Sequence, residues 1–548
     1  MQSSSVSQSF RGNDERKNDP KDPYTHLDAD KLLAAFGKCG RFQVTGYVLL
    51  QMLNVLYAGS MFVMPFIQNV PIVSCDLSNL TKPNYALPEE PQGGECYLYD
   101  RNDSSNYFTC EDKGTGTNIV LNDTSPVSSM LVYYNKQYAC SSALWKEAGL
   151  SVFTVGALVT VPFMAFAADR IGRRPVLLWC IYLSVVFNMA APFLSVGNYY
   201  LFLVFRFIIG ATSDSYLTIA SILSCEVIAG DGRNWMGLIF TVAWVLGYLY
   251  VGVISKFISN WQHFYLAGVV PGLLTIGLYW VIPESPHWLI AHGKIDDLHQ
   301  CQATKEKLTN SNRERRRSIW RVLKNKTILA MLLINGFITL VHQMYYFALT
   351  LTSSKLSSEP FIGYVLSGLV EIPAGIVTLP LLHFFGRRTL TVTSLIFQGA
   401  FVAVCPYVKA DNLEWVKITF NLLGKFSNGI TSITHPLLIS EVMPTTVRTL
   451  LFSIINIPQS LGILFAPYVK YLRFFDYEQM PILILCALSI CAGLLALMLP
   501  ETKGRPMPED LIHIDPGPVL WKIRPSPKTT QSRKASRNQG SHNDPLMK

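Results

Sequence analysis

Asp169-Arg170-Ile171-Gly172-Arg173-Arg174 stands between two apolar runs, near 147–168 and 175–195, and Phe385-Gly386-Arg387-Arg388 stands between two more, near 360–382 and 389–408. A charged turn that recurs at matched places marks a chain built from two related halves. A second pair of positions supports the same division. Glu226 precedes Arg233 by seven residues, and Glu441 precedes Arg448 by the same interval, each pair following the fourth apolar run of its half.

Outward from the turn, the composition explains what these runs are. Half of the 548 residues are apolar and only 15% are charged, which suits a lipid-embedded chain better than several water-soluble domains. Twelve apolar runs lie near 45–68, 147–168, 175–195, 199–225, 235–257, 263–283, 327–351, 360–382, 389–408, 414–439, 449–470 and 480–499. Each is long enough as a helix to cross about 30 Å of hydrocarbon. Backbone in lipid must satisfy its own hydrogen bonds, and runs without a two-residue alternation become helices rather than barrel strands. The expected fold class is an all-α membrane protein of twelve transmembrane helices in two six-helix halves.

Lys31, Lys38 and Arg41 precede the first helix, and Arg170, Arg173 and Arg174 follow the second, so the positive-inside rule places both on the cytoplasmic face. An even number of spans then puts both termini in the cytoplasm. The parts are a cytoplasmic N-terminal segment (1–44), a six-helix half (45–283) with an extracellular loop (71–145), a cytoplasmic linker (284–326), a second half (327–499) and a disordered cytoplasmic tail (500–548). The net charge of +9 reflects this bias, since Arg313, Arg315, Arg316, Arg317 and Arg321 crowd the linker; no nucleic-acid partner is implied. The lipid bilayer is the partner of the helices.

The long loop has its own signature. Asn79-Leu80-Thr81, Asn102-Asp103-Ser104 and Asn122-Asp123-Thr124 are glycosylation sequons, which suit a segment outside the cell. Cys75, Cys96, Cys110 and Cys140 share that segment, an even number in an oxidising compartment, so two disulfides of open pairing are expected. Short CxxC spacing and a neighbouring histidine are missing there, so no metal site is expected. No nucleophile with a base and no phosphate loop is apparent either, and the expectation is a protein that is not an enzyme and needs no cofactor.

The Asp169–Arg174 turn resembles the hallmark of the major facilitator superfamily. Pro283-Glu284-Ser285-Pro286-His287-Trp288-Leu289 resembles the signature that sugar porters and organic ion transporters carry after the sixth helix. The large first loop, Leu366-Ser367-Gly368-Leu369-Val370-Glu371-Ile372-Pro373, Gly424-Lys425-Phe426 and Glu441-Val442-Met443-Pro444-Thr445 with Arg448 resemble the organic cation, anion and zwitterion (carnitine-like) transporter branch. That resemblance implies a plasma-membrane carrier working by alternating access. Its cargo would be a small organic ion, a cation or zwitterion first; an organic anion transporter, a sugar porter or a non-transporting sensor on the same fold are the alternatives. A coupling ion, sodium or proton, is left open. Ala165, His383 and His287 depart from the family's usual glycine, aspartate and arginine, and Ser460 replaces the charge that members often carry in the eleventh helix.

Residue chemistry sorts the charges into two groups. Asp169, Arg170, Gly172, Arg173, Arg174, Glu226, Arg233, Glu284, Gly386, Arg387, Arg388, Glu441 and Arg448 sit at helix ends, where ion pairs that break and re-form make a gate. Charges inside helices are costly and need a reason. These are Arg206, Asp214, Glu371 and Lys425, and mutual pairing competes with substrate contact for each. Pro373 beside Glu371 disrupts the helical ladder, as happens where a transporter lines a cavity. Trp244, Tyr248, Tyr345, Tyr346 and Phe347 could offer π surface to an organic cation, and His342 and His435 could relay protons or simply pack. The substrate-binding candidates are therefore Asp214, Glu371, Lys425, Tyr345, Tyr346, Trp244 and Tyr248.

Overall fold

A computed structural model describes residues 41–69, five strand segments between 72 and 122, and residues 126–135, 138, 142–227, 233–282, 284–285, 288–289, 326–353, 360–408, 414–443, 448–472, 479–504, 515 and 517–520. The side chains of the strands, of Arg233 and of Arg448 lie outside the described set, as do the side chains of the three sequon asparagines and of the four cysteines of the long loop. The described residues hold α1 (Arg41–Phe62, continued by Met64–Ile67), α2 (Ala148–Ile171), α3 (Arg173–Leu194), α4 (Tyr199–Val227), α5 (Arg233–Ser255) and α6 (Trp261–Val269) in the first half. The second half has α7 (Lys326–Thr352), α8 (Pro360–Leu369 and Glu371–Phe384), α9 (Arg387–Val404), α10 (Glu414–Val442), α11 (Arg448–Phe465) and α12 (Met480–Ala496). Nine helical spans among the described residues are long and apolar enough to cross a membrane. Of the others, α12 is short at 17 residues, and α10 carries Lys425 in its interior.

Local chemistry fixes the ends and breaks. Gly172 has φ +128°, a conformation that residues with a Cβ rarely adopt, and this lets α2 stop and α3 begin within one residue. Asn260 caps α6 by accepting from the amides of Gln262 and His263. Beyond Val269 that span continues as a 3-10 segment, Val270–Gly277, and ends in Leu278–Val281. The α8 span breaks at Val370, between its two segments. Pro373 has no N–H to give the carbonyl of Leu369 four residues earlier, so the ladder opens where Glu371 sits.

Within the first half α2 lies against α4, and within the second α7 meets α11 and α9 meets both α10 and α12. A Cβ on Gly156 would collide with Phe207 O, and one on Gly210 with the backbone of Phe153; these two glycines let α2 and α4 approach at backbone distance. The halves touch through α2 with α11 and α5 with α8. One end of the bundle carries the charged turns; the opposite end carries the long loop. That loop adds structure beyond the helices: Ile72–Cys75 pairs antiparallel with Ile119–Asn122, and Tyr85–Ala86, Tyr97–Asp100 and Asp103–Thr109 form a second small sheet.

A caged ion pair, a row of aromatics and two end clusters form the candidate site

Lys425 of α10 is 1% exposed, so its ammonium must find every partner inside the protein. Its Nζ lies 3.2 Å from Glu371 Oε1 on α8 and donates to Ser367 Oγ at 2.7 Å and Thr350 Oγ1 at 3.0 Å. The Tyr248 and Tyr346 rings each face it, with centroids 5.0 Å away. A carboxylate, two hydroxyls and two π faces therefore enclose one cation, which offsets the cost of burying the pair. The Tyr346 hydroxyl donates to Glu371 and accepts from Trp244 Nε1 at 2.7 Å. Tyr248 is stacked on Tyr364 with centroids 4.0 Å apart.

From Trp244 the aromatics continue into the first half. Its ring lies 5.5 Å from Phe62 and 5.9 Å from Tyr57, and the Tyr57 hydroxyl is the hydrogen-bonding neighbour of Asp214. Two membrane carboxylates, one on each half, are thus joined by Tyr57, Trp244 and Tyr346. No cation among the described residues forms an ion pair with Asp214. Glu371, by contrast, is neutralised by Lys425.

Mutual pairing thus holds for Lys425 and Glu371 and fails for Arg206 and Asp214. Arg206 is fully buried and gives Nε to Gly149 O at 3.2 Å and Nη1 to Ser60 O and Tyr265 OH at 2.9 and 3.2 Å. Its guanidinium also lies 4.7 Å from the Phe153 centroid. Tyr345 is turned away from the caged pair, its hydroxyl donating to Gln398 O at 2.5 Å. Phe347 packs on Phe62 and Tyr346. His342 meets Asn428 and Ser432, and His435 meets Asn335, side-chain partners that serve packing between α7 and α10. Ser460 turns its hydroxyl back onto Asn456 O of its own helix.

The turn end repeats one arrangement in both halves. Arg173 bonds Asp169 at 2.8 Å and Glu226 at 3.3 Å, while Glu284 accepts from the amides of Arg173 and Arg174 at the start of α3. Trp288 Nε1 holds Asp169 O at 3.0 Å. In the second half Arg387 bonds Glu441 at 3.2 Å, and Glu501 accepts from the amides of Arg388 and Thr389 at the start of α9. Among the described residues His383, exposed at the place matching Asp169, meets only the Phe384 ring, and Arg387 pairs with one carboxylate where Arg173 pairs with two. Among the described residues Arg170 and Arg174 pair with no carboxylate: Arg170 covers the Phe166 ring and Arg174 donates to Tyr279 O. Any side chain at Gly386 would collide with the Glu501 carboxylate.

Glu501 escapes a reading by charge within helices, yet Pro500-Glu501 repeats Pro283-Glu284 after the sixth span, and that repetition was the available signal. Burial acts to raise its carboxyl; amide hydrogen bonds from Lys503, Thr389, Arg388 and Thr502 outweigh it and hold the group below the ordinary carboxylate range. A depressed value means that this cap is fully present above the ordinary range and is lost only as pH falls through the depressed one. Tyr57, Thr350 and Tyr364 also join the site without a sequence signal, and Ser367 was legible only as part of the Leu366–Pro373 stretch, because their partners lie far away in the chain.

At the loop end the halves are tied directly. Glu147 Oε1, just before α2, takes Lys470 Nζ at 2.5 Å and Tyr471 OH at 3.2 Å from the segment following α11, and Ser151 bonds Tyr468 at 2.7 Å. Burial and then the nearby Lys470 push the Lys146 ammonium down. Among the described residues, every ion pair at the turn end stays within one half; the pair between Glu147 and Lys470 crosses.

Two helical halves facing each other across an internal charged site, with separable clusters at their ends, define a membrane carrier. The chain belongs to the Major Facilitator Superfamily, whose family model matches residues 116–467. It is similar to a Caenorhabditis elegans protein that carries a provisional transporter name, 33% identical over 88% of this chain and 84% of the relative. It is also similar to a Drosophila melanogaster protein named organic cation transporter protein, 24% identical over 91% of this chain and 96% of the relative. Among solved structures, the inward-open xylose transporter of E. coli matches with a TM-score of 0.58 at 13% identity, over 85% of this chain and 97% of that one, which establishes the shared fold.

Proposed function

We propose that the protein carries small organic cations or zwitterions across the plasma membrane by alternating access, with the loop end outside the cell and the turn end in the cytoplasm. The carrying observation is Asp214, an in-membrane carboxylate without an ion-pair partner among the described residues, joined by aromatic rings to the caged Glu371. A bare carboxylate in a helix is costly unless something cationic meets it. Asp214 and Glu371 would attract a small ammonium compound, with Trp244, Tyr248 and Tyr346 supplying π faces. A carboxylate on a zwitterion suits Lys425. The fly relative's name supports this class of cargo. A sugar would need neutral hydrogen-bonding groups rather than this charge pattern.

The test compares uptake of tetraethylammonium, a carnitine-like zwitterion, an aromatic carboxylate and a hexose by wild type, Glu371→Gln and Lys425→Ala. Cation uptake should fall in Glu371→Gln. Intact cation uptake in that variant, with loss of carboxylate uptake alone in Lys425→Ala, would turn the assignment toward anions. The orientation has its own check: glycosidase should increase gel mobility of the wild type, and a variant with Asn79, Asn102 and Asn122 all changed to Gln should not respond.

A further inference from the structure

The cage around Lys425 has the chemistry expected for an organic ammonium: a carboxylate 3.2 Å away, two ring faces at 5.0 Å and two hydroxyls at 2.7 and 3.0 Å. Its occupant is the protein's own side chain. Two hydrogen bonds, to Ser367 and Thr350, and the ion pair with Glu371 hold the ammonium in place, so a cargo cation that takes Glu371 must displace Lys425. The lysine stem comes from α10, whereas Glu371 and Ser367 belong to α8, Thr350 and Tyr346 to α7 and Tyr248 to α5. The cage therefore joins three helices of the second half to one of the first.

We infer that Lys425 is an internal substitute for the cargo: its ammonium fills the Glu371 cage when the carrier is empty and leaves it when an organic ammonium arrives. This rests on the cation reading above and adds a consequence for the transport cycle. A carrier that loses its cargo must reorient with Glu371 inside the membrane, where an uncompensated carboxylate is costly. Lys425 removes that charge imbalance, so the empty carrier returns freely and net transport does not require a second cargo molecule on the far side. A zwitterion engages both members at once, its ammonium on Glu371 and its carboxylate on Lys425, and opens the pair without leaving either charge bare. A simple cation displaces Lys425 with no replacement partner. Zwitterions should therefore bind more tightly than cations of equal size.

The experiment uses purified full-length protein in liposomes and labelled tetraethylammonium, measured into vesicles that are empty and into vesicles preloaded with unlabelled tetraethylammonium. Wild type should support influx into both at comparable rates. In Lys425→Gln, influx into empty vesicles should fall by about tenfold or more relative to influx into preloaded ones, while Lys425→Arg should restore much of the wild-type ratio. A wild type that moves tetraethylammonium only into preloaded vesicles overturns the inference without recourse to any variant. So does a Lys425→Gln protein whose two rates fall equally, provided Lys425→Met behaves alike. If wild type moves neither tetraethylammonium nor a carnitine-like zwitterion in either mode, the cation reading itself fails.

Discussion

Arg206 shows how a charge inside a helix can be structural. Its guanidinium fork spans Gly149 O on α2, Ser60 O on α1 and Tyr265 OH on α6, so one side chain from α4 ties three neighbours. A lysine keeps the charge but is a single point of donation. Arg206→Lys should therefore lower the stability of the detergent-solubilised protein by about 1.5–3 kcal/mol, read as a lower thermal midpoint; an unchanged midpoint would show that the three contacts contribute nothing. Asp169 belongs to a different class, because its carboxylate is accessible and pairs with Arg173 at 2.8 Å at the turn end, away from Glu371. Asp169→Asn should cut maximal flux several-fold with little change in apparent affinity, since it alters the balance between states rather than cargo contact. Loss of affinity at normal maximal flux would move Asp169 into the binding site. The sequence revealed which charges needed explaining and left their partners open: Lys425 with Glu371 and Arg206 without Asp214 depend on helix rotation and packing, which spacing within a single chain does not fix.

At the scale of elements, legibility was higher, because membrane helices are decided by local chemistry. Long apolar runs located the twelve helices to within a few residues, nine of them among the described residues long and apolar enough to span, and Pro373 identified the span that breaks. The fragment of sheet in the long loop was missed, since strand pairs such as Ile72–Cys75 with Ile119–Asn122 are brief and distant in sequence. Contact between α2 and α4 was equally hidden: Gly156 and Gly210 read as ordinary glycines until the helices are placed together. Gly210→Ala puts a methyl into the backbone of Phe153, and backbone cannot move aside as a flexible side-chain end can. We expect a loss of at least about 1–3 kcal/mol, the usual cost of overpacking, seen as reduced folded yield and a lower thermal midpoint. If Gly210→Ala matches wild type in both, the two helices are not locked at that distance.

Among the described residues the ion pairs of the whole molecule differ between its two ends. At the turn end Arg173 with Asp169 and Glu226, and Arg387 with Glu441, close charge within each half; at the loop end Lys470 and Tyr471 of the second half hold Glu147 of the first. A carrier closed across its loop end by contacts between halves is poised to open at the other. Lys470 is nearly half exposed, so the ion pair by itself contributes only about 0–1 kcal/mol, enough to tilt two states of similar energy without locking either. Lys470→Ala should shift the population toward the form open at the loop end. Thr154, one turn deeper than Ser151 on α2 and buried, offers a reporter: in Thr154→Cys an impermeant thiol reagent applied from outside should react slowly, and in the Lys470→Ala background several-fold faster. Glu147→Gln should act in the same direction, because it removes the other charge of the same pair. Equal labelling rates in all three proteins, against a control lacking the introduced cysteine, would mean that the contact between Glu147 and Lys470 does not govern opening, and that closure of the loop end rests instead on the hydrogen bond between Ser151 and Tyr468 and the packing of α5 against α8.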